Sequence, residues 1–251
     1  MFYVAVMLPL IGAQTHNVKC SKVIIDIPNR SNNFFIEKED ILTLLHDKGV
    51  KLVGENIGDI DENKLENLLL MHPSVKSVNI YSTINGIVKI SINQRTPVLR
   101  IINNKNESFY IDEQGKIMPL STKYSANVLI ASGHINLNFT KLLAKQKKLI
   151  GSRDTNKNVV LNNLNKMASF IYNNKFWKSQ IEQIYVKQNG EYILIPRIGS
   201  QKIEFGDIKN YKTKFRNLKA LYEQGLPKAG WNKYKIINLK YENQVICIKN
   251  K

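Results

Sequence analysis

A turn signal between two strand-like runs constrains the fold of this chain more than any other feature. Asn85-Gly86 joins residues 75–83 to residues 87–93, and both turn residues tolerate the positive φ that tight hairpin turns require. In the second run, apolar residues alternate with polar ones, which indicates one buried and one solvated face. The sequence therefore predicts an antiparallel hairpin that packs on a core from one side.

The residues before this hairpin predict one strand and two helices. Residues 23–27 have the composition of a strand, and residues 37–48 have the apolar spacing of an amphipathic helix. Asp61 is suited to cap a second helix over residues 62–71. The order β-α-α-β-β over residues 19–94 predicts a three-stranded sheet with two helices on one face. This order resembles that of a POTRA domain, a module that docks other chains.

The remainder of the chain, residues 95–251, predicts a second domain in which strands dominate. The predicted strands are residues 98–102, 108–112, 116–118, 128–131, 180–186, 191–196, 201–205, 234–241 and 244–249, and the predicted helices are residues 159–172 and 211–224. Short polar turns separate many of these strands. The predicted fold class is α+β, with a POTRA-type domain followed by a mixed, mostly antiparallel β-domain with flanking helices.

The charge of the chain is strongly positive. It has 37 lysines and arginines against 20 acidic residues, a formal net charge of +17. Such an excess is typical of binders of nucleic acid or of anionic envelope polymers. Lysine carries most of it, however, and bidentate phosphate recognition favours arginine. The lysines are also scattered along the chain. We expect a solvated surface and no nucleic-acid partner, with charge-driven binding kept as the alternative.

The first residues are apolar. Residues 2–13 read FYVAVMLPLIGA, and twelve helical residues span about 18 Å, short of the ~30 Å hydrocarbon core of a bilayer. Three interpretations compete: the outer end of a membrane helix, a weak signal peptide, or a buried strand or helix. We favour the first, because polar residues begin at Gln14 and a folded domain follows. Residues 1–18 are therefore predicted to be a partial transmembrane or signal-anchor segment.

Residues with catalytic potential are sparse. Ser125 and Ser132 have no histidine and aspartate partners at a recognisable spacing, and glycine patterns that cradle phosphates are missing from the sequence. The two cysteines, Cys20 and Cys247, form no Cys-x-x-Cys pair. A disulfide between them is conceivable in an oxidising compartment, but we expect two unpaired thiols. The sequence predicts no catalytic residue, no metal, no cofactor and no small-molecule substrate, and hence a protein that is not an enzyme.

Several short stretches follow one another in a distinctive order. They read HPSVKS at residues 72–77, GIVKISINQRTP at 86–97, YIDEQGKIMPLS at 110–121, GWNKY at 230–234 and INLKYENQVIC at 237–247. Together they resemble the FtsQ/DivIB family of bacterial cell-division proteins, in the form found in Bacteroidetes-type bacteria. The resemblance runs from about Cys20 to Cys247. Each stretch alone is a weak indicator of the family, whereas the combination of all five in this order is specific for it.

The resemblance implies a function without catalysis. It implies a single-pass protein of the inner membrane with the bulk of the chain in the periplasm. There it would act as a divisome scaffold that holds FtsB- and FtsL-type partners and helps control septal peptidoglycan synthesis, with the septal synthase as a further candidate partner. Another POTRA-containing envelope assembly protein is the remaining alternative, although the POTRA pattern is not repeated in this sequence.

The last predicted strand, residues 244–249, ends the chain almost at once, which favours a position at the edge of a sheet. Exposed edges accept an added strand from a partner. The alternative is a strand paired within the sheet on both sides. The family resemblance implies that partners bind at this end of the β-domain. The predicted partner-binding residues are Tyr241, Asn243, Gln244, Val245, Ile246, Cys247 and Ile248.

Overall fold

The structure, a computed structural model, describes residues 18–28, 34–148, 158–242 and 244–250. It divides into two compact units. The first contains the described residues through Arg95 together with Ser121–Ser125, and the second contains Thr96–Leu120 and Ala126–Lys251. The segment predicted to lie in the membrane falls outside the described residues, apart from Val18. Within the described ranges, none of the helices is both long and apolar enough to cross a bilayer.

The first unit has the predicted β-α-α-β-β order. Its elements are β1 (Lys22–Asp26), α1 (Lys38–Asp47), a 3₁₀ turn (Ile57–Asp59), α2 (Glu62–Leu70), β2 (Val75–Ser82) and β3 (Ile87–Gln94). The sheet order is β1-β3-β2, with β1 parallel to β3 and β2 antiparallel to it. The predicted α+β arrangement of this unit is therefore confirmed.

Side chains fix both helix starts in this unit. The carboxylate of Asp61 accepts the Lys64 N–H at 2.9 Å, as the capping prediction requires. At the start of α1, the Glu37 N–H donates to the Asp40 carboxylate at 2.9 Å, in a reciprocal capping box. Lys123 lies in the segment Ser121–Ser125, which belongs to this unit. Its ammonium group donates to the carboxylates of Glu37 and Asp40, each at 3.0 Å. The start of α1 is thus held by charge as well as by the cap.

The predicted hairpin is present, but its turn is longer than a two-residue turn at Asn85-Gly86. The Gly86 N–H donates to the Thr83 carbonyl at 3.1 Å. Of the turn residues 84–86, only Gly86 has a positive φ, at 79°. The loop is therefore a three-residue turn that ends in a left-handed glycine. A Cβ on Gly86 would lie 2.6 Å from the Lys19 carbonyl oxygen, so close packing also requires glycine here.

The second unit is built on a nine-stranded sheet. Its strands are β4 (Pro97–Ile102), β5 (Ser108–Asp112), β6 (Ile117–Met118), β7 (Leu129–Gly133), β8 (Ile181–Val186), β9 (Tyr192–Pro196), β10 (Lys202–Gly206), β11 (Tyr234–Asn238) and β12 (Ile246–Lys249). The sheet order is β12-β11-β10-β9-β8-β7-β4-β5-β6. Five of the eight neighbouring pairs are antiparallel, whereas β10–β11, β4–β7 and β7–β8 are parallel. The prediction of a mixed, mostly antiparallel sheet is confirmed.

Helices bury one face of this sheet. They are α3 (Phe139–Lys148), α4 (Val159–Tyr172), α5 (Lys175–Gln180), α6 (Tyr211–Ala220) and α7 (Leu226–Ala229). Buried residues of α4, α5 and α6 form one apolar cluster with the inward side chains of the strands. The predicted single helix over residues 211–224 is interrupted by a π-helical turn, Leu221–Gly225. Pro227 follows it, and a proline cannot supply the N–H that a regular helix needs there.

The two edges of the large sheet differ. At the β6 edge, the Gln146 side chain of α3 accepts the Ile117 N–H at 2.7 Å and donates to the Ile117 carbonyl at 3.0 Å. Gln146 therefore satisfies the backbone groups that a neighbouring strand would otherwise pair. The opposite edge is β12, and it is the part of the fold that positions the candidate site.

Candidate functional site

The candidate site is the outer edge of β12. Among the described residues, β12 pairs with β11 alone, in the antiparallel register Tyr234↔Lys249, Ile236↔Ile248, Ile237↔Cys247 and Asn238↔Ile246. The register shifts between Tyr234 and Ile236, and the extra residue lies on β11, so β12 itself is continuous. The structure thus places the last strand at the sheet edge and contradicts the alternative in which it pairs on both sides. The strand begins at Ile246, two residues later than predicted from sequence.

The backbone direction of β12 follows from one hydrogen bond. The Asn250 N–H donates to the Lys233 carbonyl at 2.9 Å, so residue 250 faces β11. In an antiparallel pair, N–H and C=O groups of alternate residues point to the same side. Ile248 therefore also faces β11, and the backbone groups of Cys247 and Lys249 point away from the sheet. These two residues supply an outward row of donors and acceptors.

The side chains of β12 divide between two faces. Cys247 and Val245 pack against the apolar cluster beneath the helices. On the other face, Ile246 is 41% exposed and Ile248 is 43% exposed, which is high for isoleucine. Tyr241, just after β11, is 54% exposed. Outward backbone groups and exposed apolar side chains therefore occur on the same short strand.

A groove of 420 Å³ lies beside the turn that leads into β12. Its lining includes two predicted site residues, Tyr241 and Gln244, together with polar residues of α6 and of the loop before it. The Asn210 amide donates to the Glu242 carboxylate at 3.3 Å, which ties this loop to the turn. Asn243, another predicted site residue, lies outside the described residues. Tyr241 and Gln244 thus line the same groove, in the segment that leads into β12.

Lys214 lines the groove, and hydrogen bonds fix its position. Its ammonium group donates to the carbonyls of Phe205 and Asp207 at 3.0 and 2.8 Å and to the Asp207 carboxylate at 3.0 Å. Burial by itself would raise the pKa of Asp207, but the hydrogen bond and charge of Lys214, with a contribution from Lys209, hold this pKa below its usual value. Asp207 is consequently ionised at neutral pH and neutralises Lys214.

Four charged side chains support the end of β11. Glu191 lies 3.4 Å from Lys187 and 3.5 Å from Lys240, and Glu204 lies 3.8 Å from each of these lysines. Glu204 also accepts a hydrogen bond from the Asn238 amide at 3.0 Å. Sequence analysis missed this network, because its members are spread over more than fifty positions and no local pattern links them. The network fixes Lys240 and therefore the start of the turn that carries Tyr241.

The described residues bring together no group of three or more histidine, cysteine or acidic side chains that could hold a metal ion. Cys20 and Cys247 are both free thiols. Burial raises the pKa of the Cys247 thiol, which disfavours the reactive thiolate. The groups that this edge does present are backbone donors and acceptors and the exposed apolar side chains of Ile246 and Ile248.

The fold and this edge define a class of protein: a POTRA-like domain followed by a β-domain with an open terminal strand. Residues 96–248 match the family described as FtsQ/DivIB, C-terminal related, and residues 18–93 match the family described as POTRA-like domain. The first match covers more than half of the chain, so this protein belongs to the FtsQ/DivIB family of non-catalytic cell-division scaffolds. The family predicted from the ordered motifs is confirmed. No curated protein matches the chain.

Proposed function

We propose that this protein is a divisome scaffold that recruits a partner by strand addition at β12. The observation that carries the proposal is the outward row of backbone groups on Cys247 and Lys249, flanked by the exposed side chains of Ile246 and Ile248. In strand addition, backbone hydrogen bonds supply affinity and alternate side chains set the register. The membership of the FtsQ/DivIB family supports a protein partner rather than a substrate.

The partner chain would form a tenth strand of the large sheet. It would hydrogen-bond to the outward groups of β12 and cover Ile246 and Ile248. Its continuation would enter the 420 Å³ groove and contact Tyr241 and Gln244. Asn243 and Val245 complete the proposed contact set. Small coiled-coil proteins of the FtsB and FtsL type are the proposed partners, with the septal peptidoglycan synthase as a further one.

The cellular setting is part of the same proposal. The protein would be anchored once in the inner membrane, with both described units in the periplasm, and would help control septal peptidoglycan synthesis without performing it. It would use no cofactor and no small-molecule substrate, and it would not bind nucleic acid. This setting rests on the family to which the chain belongs.

Truncation tests the site directly. Removal of the residues after Asn243 deletes β12, and we expect loss of binding of an FtsB-type peptide, measured by fluorescence anisotropy with a scrambled peptide as the control. Hydrogen exchange of the β3 amides should stay unchanged, because the first unit is a separate compact unit. A double variant, Ile246→Lys with Ile248→Lys, keeps the strand and should weaken binding through its exposed face.

The result that would overturn the proposal is equally clear. If the truncated protein binds the peptide as tightly as the intact chain, β12 is not the binding site. The first unit would then become the better candidate for partner binding. Binding to unrelated nucleic acid with a steep salt dependence would instead favour charge-driven binding.

A further inference from the structure

A second cavity lies in the large-sheet unit, away from β12. It has a volume of 470 Å³ and opens where β4, β7 and β8 begin, next to the end of α4 and the short helix α5. Its floor is apolar and consists of the buried residues Val98, Leu129, Ile171 and Ile181. This volume is within the range of ligand sites in proteins. The cavity is therefore large enough for one or two side chains of another molecule.

The rim of the cavity is basic. Lys175, Lys178 and Arg197 line it, and none of its lining residues is acidic. In the described part of the chain, no carboxylate lies within ion-pair distance of these three cations. The Lys178 ammonium group lies 3.9 Å from the centroid of the Tyr172 ring, which holds it over the cavity wall. The lysines of the network beside β11 pair with glutamates, whereas none of the described carboxylates forms an ion pair with the three cations of this rim.

We propose that this cavity binds a short acidic segment of a partner polypeptide, in which a carboxylate side chain is next to a large apolar one. The apolar side chain would fill the floor, and the carboxylate would meet the three cations. Two exposed polar residues of the lining, Asn127 and Ser179, can bind the peptide backbone: Asn127 offers an amide, and the Ser179 hydroxyl, which donates to the Phe176 carbonyl at 2.7 Å, can still accept a hydrogen bond. These polar groups suit a peptide better than a hydrocarbon chain. The proposal does not depend on strand addition at β12.

Methyl-labelled full-length protein provides a test that locates the ligand. The probe is acetyl-Leu-Glu-Phe-amide, and the expected result is saturable shifts of the methyl groups of Val98, Val128, Leu129, Ile171 and Ile181, which line the cavity. The matched probe acetyl-Leu-Gln-Phe-amide lacks the charge and should bind roughly tenfold more weakly, since its amide forms no ion pair with the rim. The β12 methyl groups should not shift with either probe.

A charge-removal variant tests the rim. The triple variant Lys175→Ala, Lys178→Ala, Arg197→Ala should weaken binding of the acidic probe roughly tenfold, because the attraction between the probe carboxylate and the three exposed cations is lost. Its matched control removes the same charge elsewhere in the unit, as Lys166→Ala, Lys212→Ala, Lys228→Ala, and should bind like the wild type. The cavity methyl spectra of both variants verify that the fold is retained.

Three outcomes would overturn the proposal. The Glu and Gln probes could bind equally, or the control triple could lose as much affinity as the rim triple, and in either case the rim does not select a carboxylate. Alternatively, dihexanoyl phosphatidylglycerol could shift the cavity methyl groups at lower concentration than the acidic peptide. The occupant would then be a lipid rather than a partner polypeptide.

Discussion

Proline substitutions in β12 can distinguish the backbone N–H groups that face β11 from those that point away from the sheet. Lys249 has its N–H directed away from the sheet, so Lys249→Pro removes a donor that only a partner strand would use. Proline is tolerated on the outer side of edge strands, and the preceding residue is already extended as proline requires. Ile248 has its N–H directed at β11, so Ile248→Pro removes an internal hydrogen bond and should release the strand.

The expected loss follows from the number of backbone bonds. Cys247 and Lys249 together offer two donors and two acceptors, and a net hydrogen bond contributes about 1 kcal/mol. Loss of one donor should therefore weaken binding of an FtsB-type peptide roughly fivefold in Lys249→Pro. Ile248→Pro should abolish binding, since the whole row depends on the attachment of β12 to β11.

The assay is fluorescence anisotropy of the labelled peptide, with hydrogen exchange of the β11 amides as the measure of strand attachment. Lys249→Ala is the matched control, because it removes the same charge and keeps the N–H. We expect this control to bind like the wild type and Lys249→Pro to keep β11 protected. Wild-type affinity in Lys249→Pro would refute the reasoning, since the outward donor would then have no partner. Unchanged binding in Ile248→Pro would refute it as well.

Three further predictions concern the two units separately. Gln146→Leu leaves the N–H and carbonyl of Ile117 without partners, so the free energy of unfolding should fall by ~1–3 kcal/mol in urea titrations, and an unchanged midpoint would contradict this. Gln94→Ala deletes one buried oxygen that accepts two backbone N–H groups, at 3.0 and 2.9 Å. The backbone amides of Phe35 and Ile36 should then exchange faster with solvent, and wild-type exchange rates would show that the Gln94 side chain does not protect them. Burial raises the pKa of Asp40, but a backbone N–H and Lys123 lower it more, so the pKa in the folded protein lies below its ordinary value. The stabilising effect of Asp40 is therefore complete above the ordinary pKa of an aspartate and is lost as the pH falls through the folded-state pKa. An NMR titration should show a higher Asp40 pKa in Lys123→Ala, and an equal pKa would count against the ion pair.

Elements with a strong local pattern could be predicted from the sequence. The helix over residues 159–172 was expected with the bounds that the structure has, because apolar residues recur along one face. In the structure, the Asn158 side chain caps its start. The hairpin strands were expected within one residue of their observed ends. The helix Phe139–Lys148 was not delimited, since lysine and glutamine interrupt its apolar face. A strong local pattern is therefore enough to predict a helix or strand and its bounds, whereas the bounds of elements with a weak pattern depend on tertiary contacts.

Long-range pairing could not be predicted in the same way. The parallel pairs β4–β7 and β7–β8 join strands that are far apart in the chain, and alternation within a strand does not identify its neighbour. The candidate site was likewise predicted only in part. The sequence indicated that β12 lies at an edge, but the outward row on Cys247 and Lys249 depends on the register with β11. The charges that fix Lys240 and the groove beside Tyr241 likewise come from distant positions.

The side chain of Gln146 also limits how copies of this protein can associate. A sheet open at both ends could join the first strand of one molecule to the last strand of the next, and that heterologous contact would repeat into a filament. Gln146 blocks the β6 end by occupying the backbone groups of Ile117. Through this sheet, two copies would then meet as β12 against β12, with twofold symmetry, and that contact closes on itself. A strand added at β12 would therefore not propagate into a filament through the β6 end.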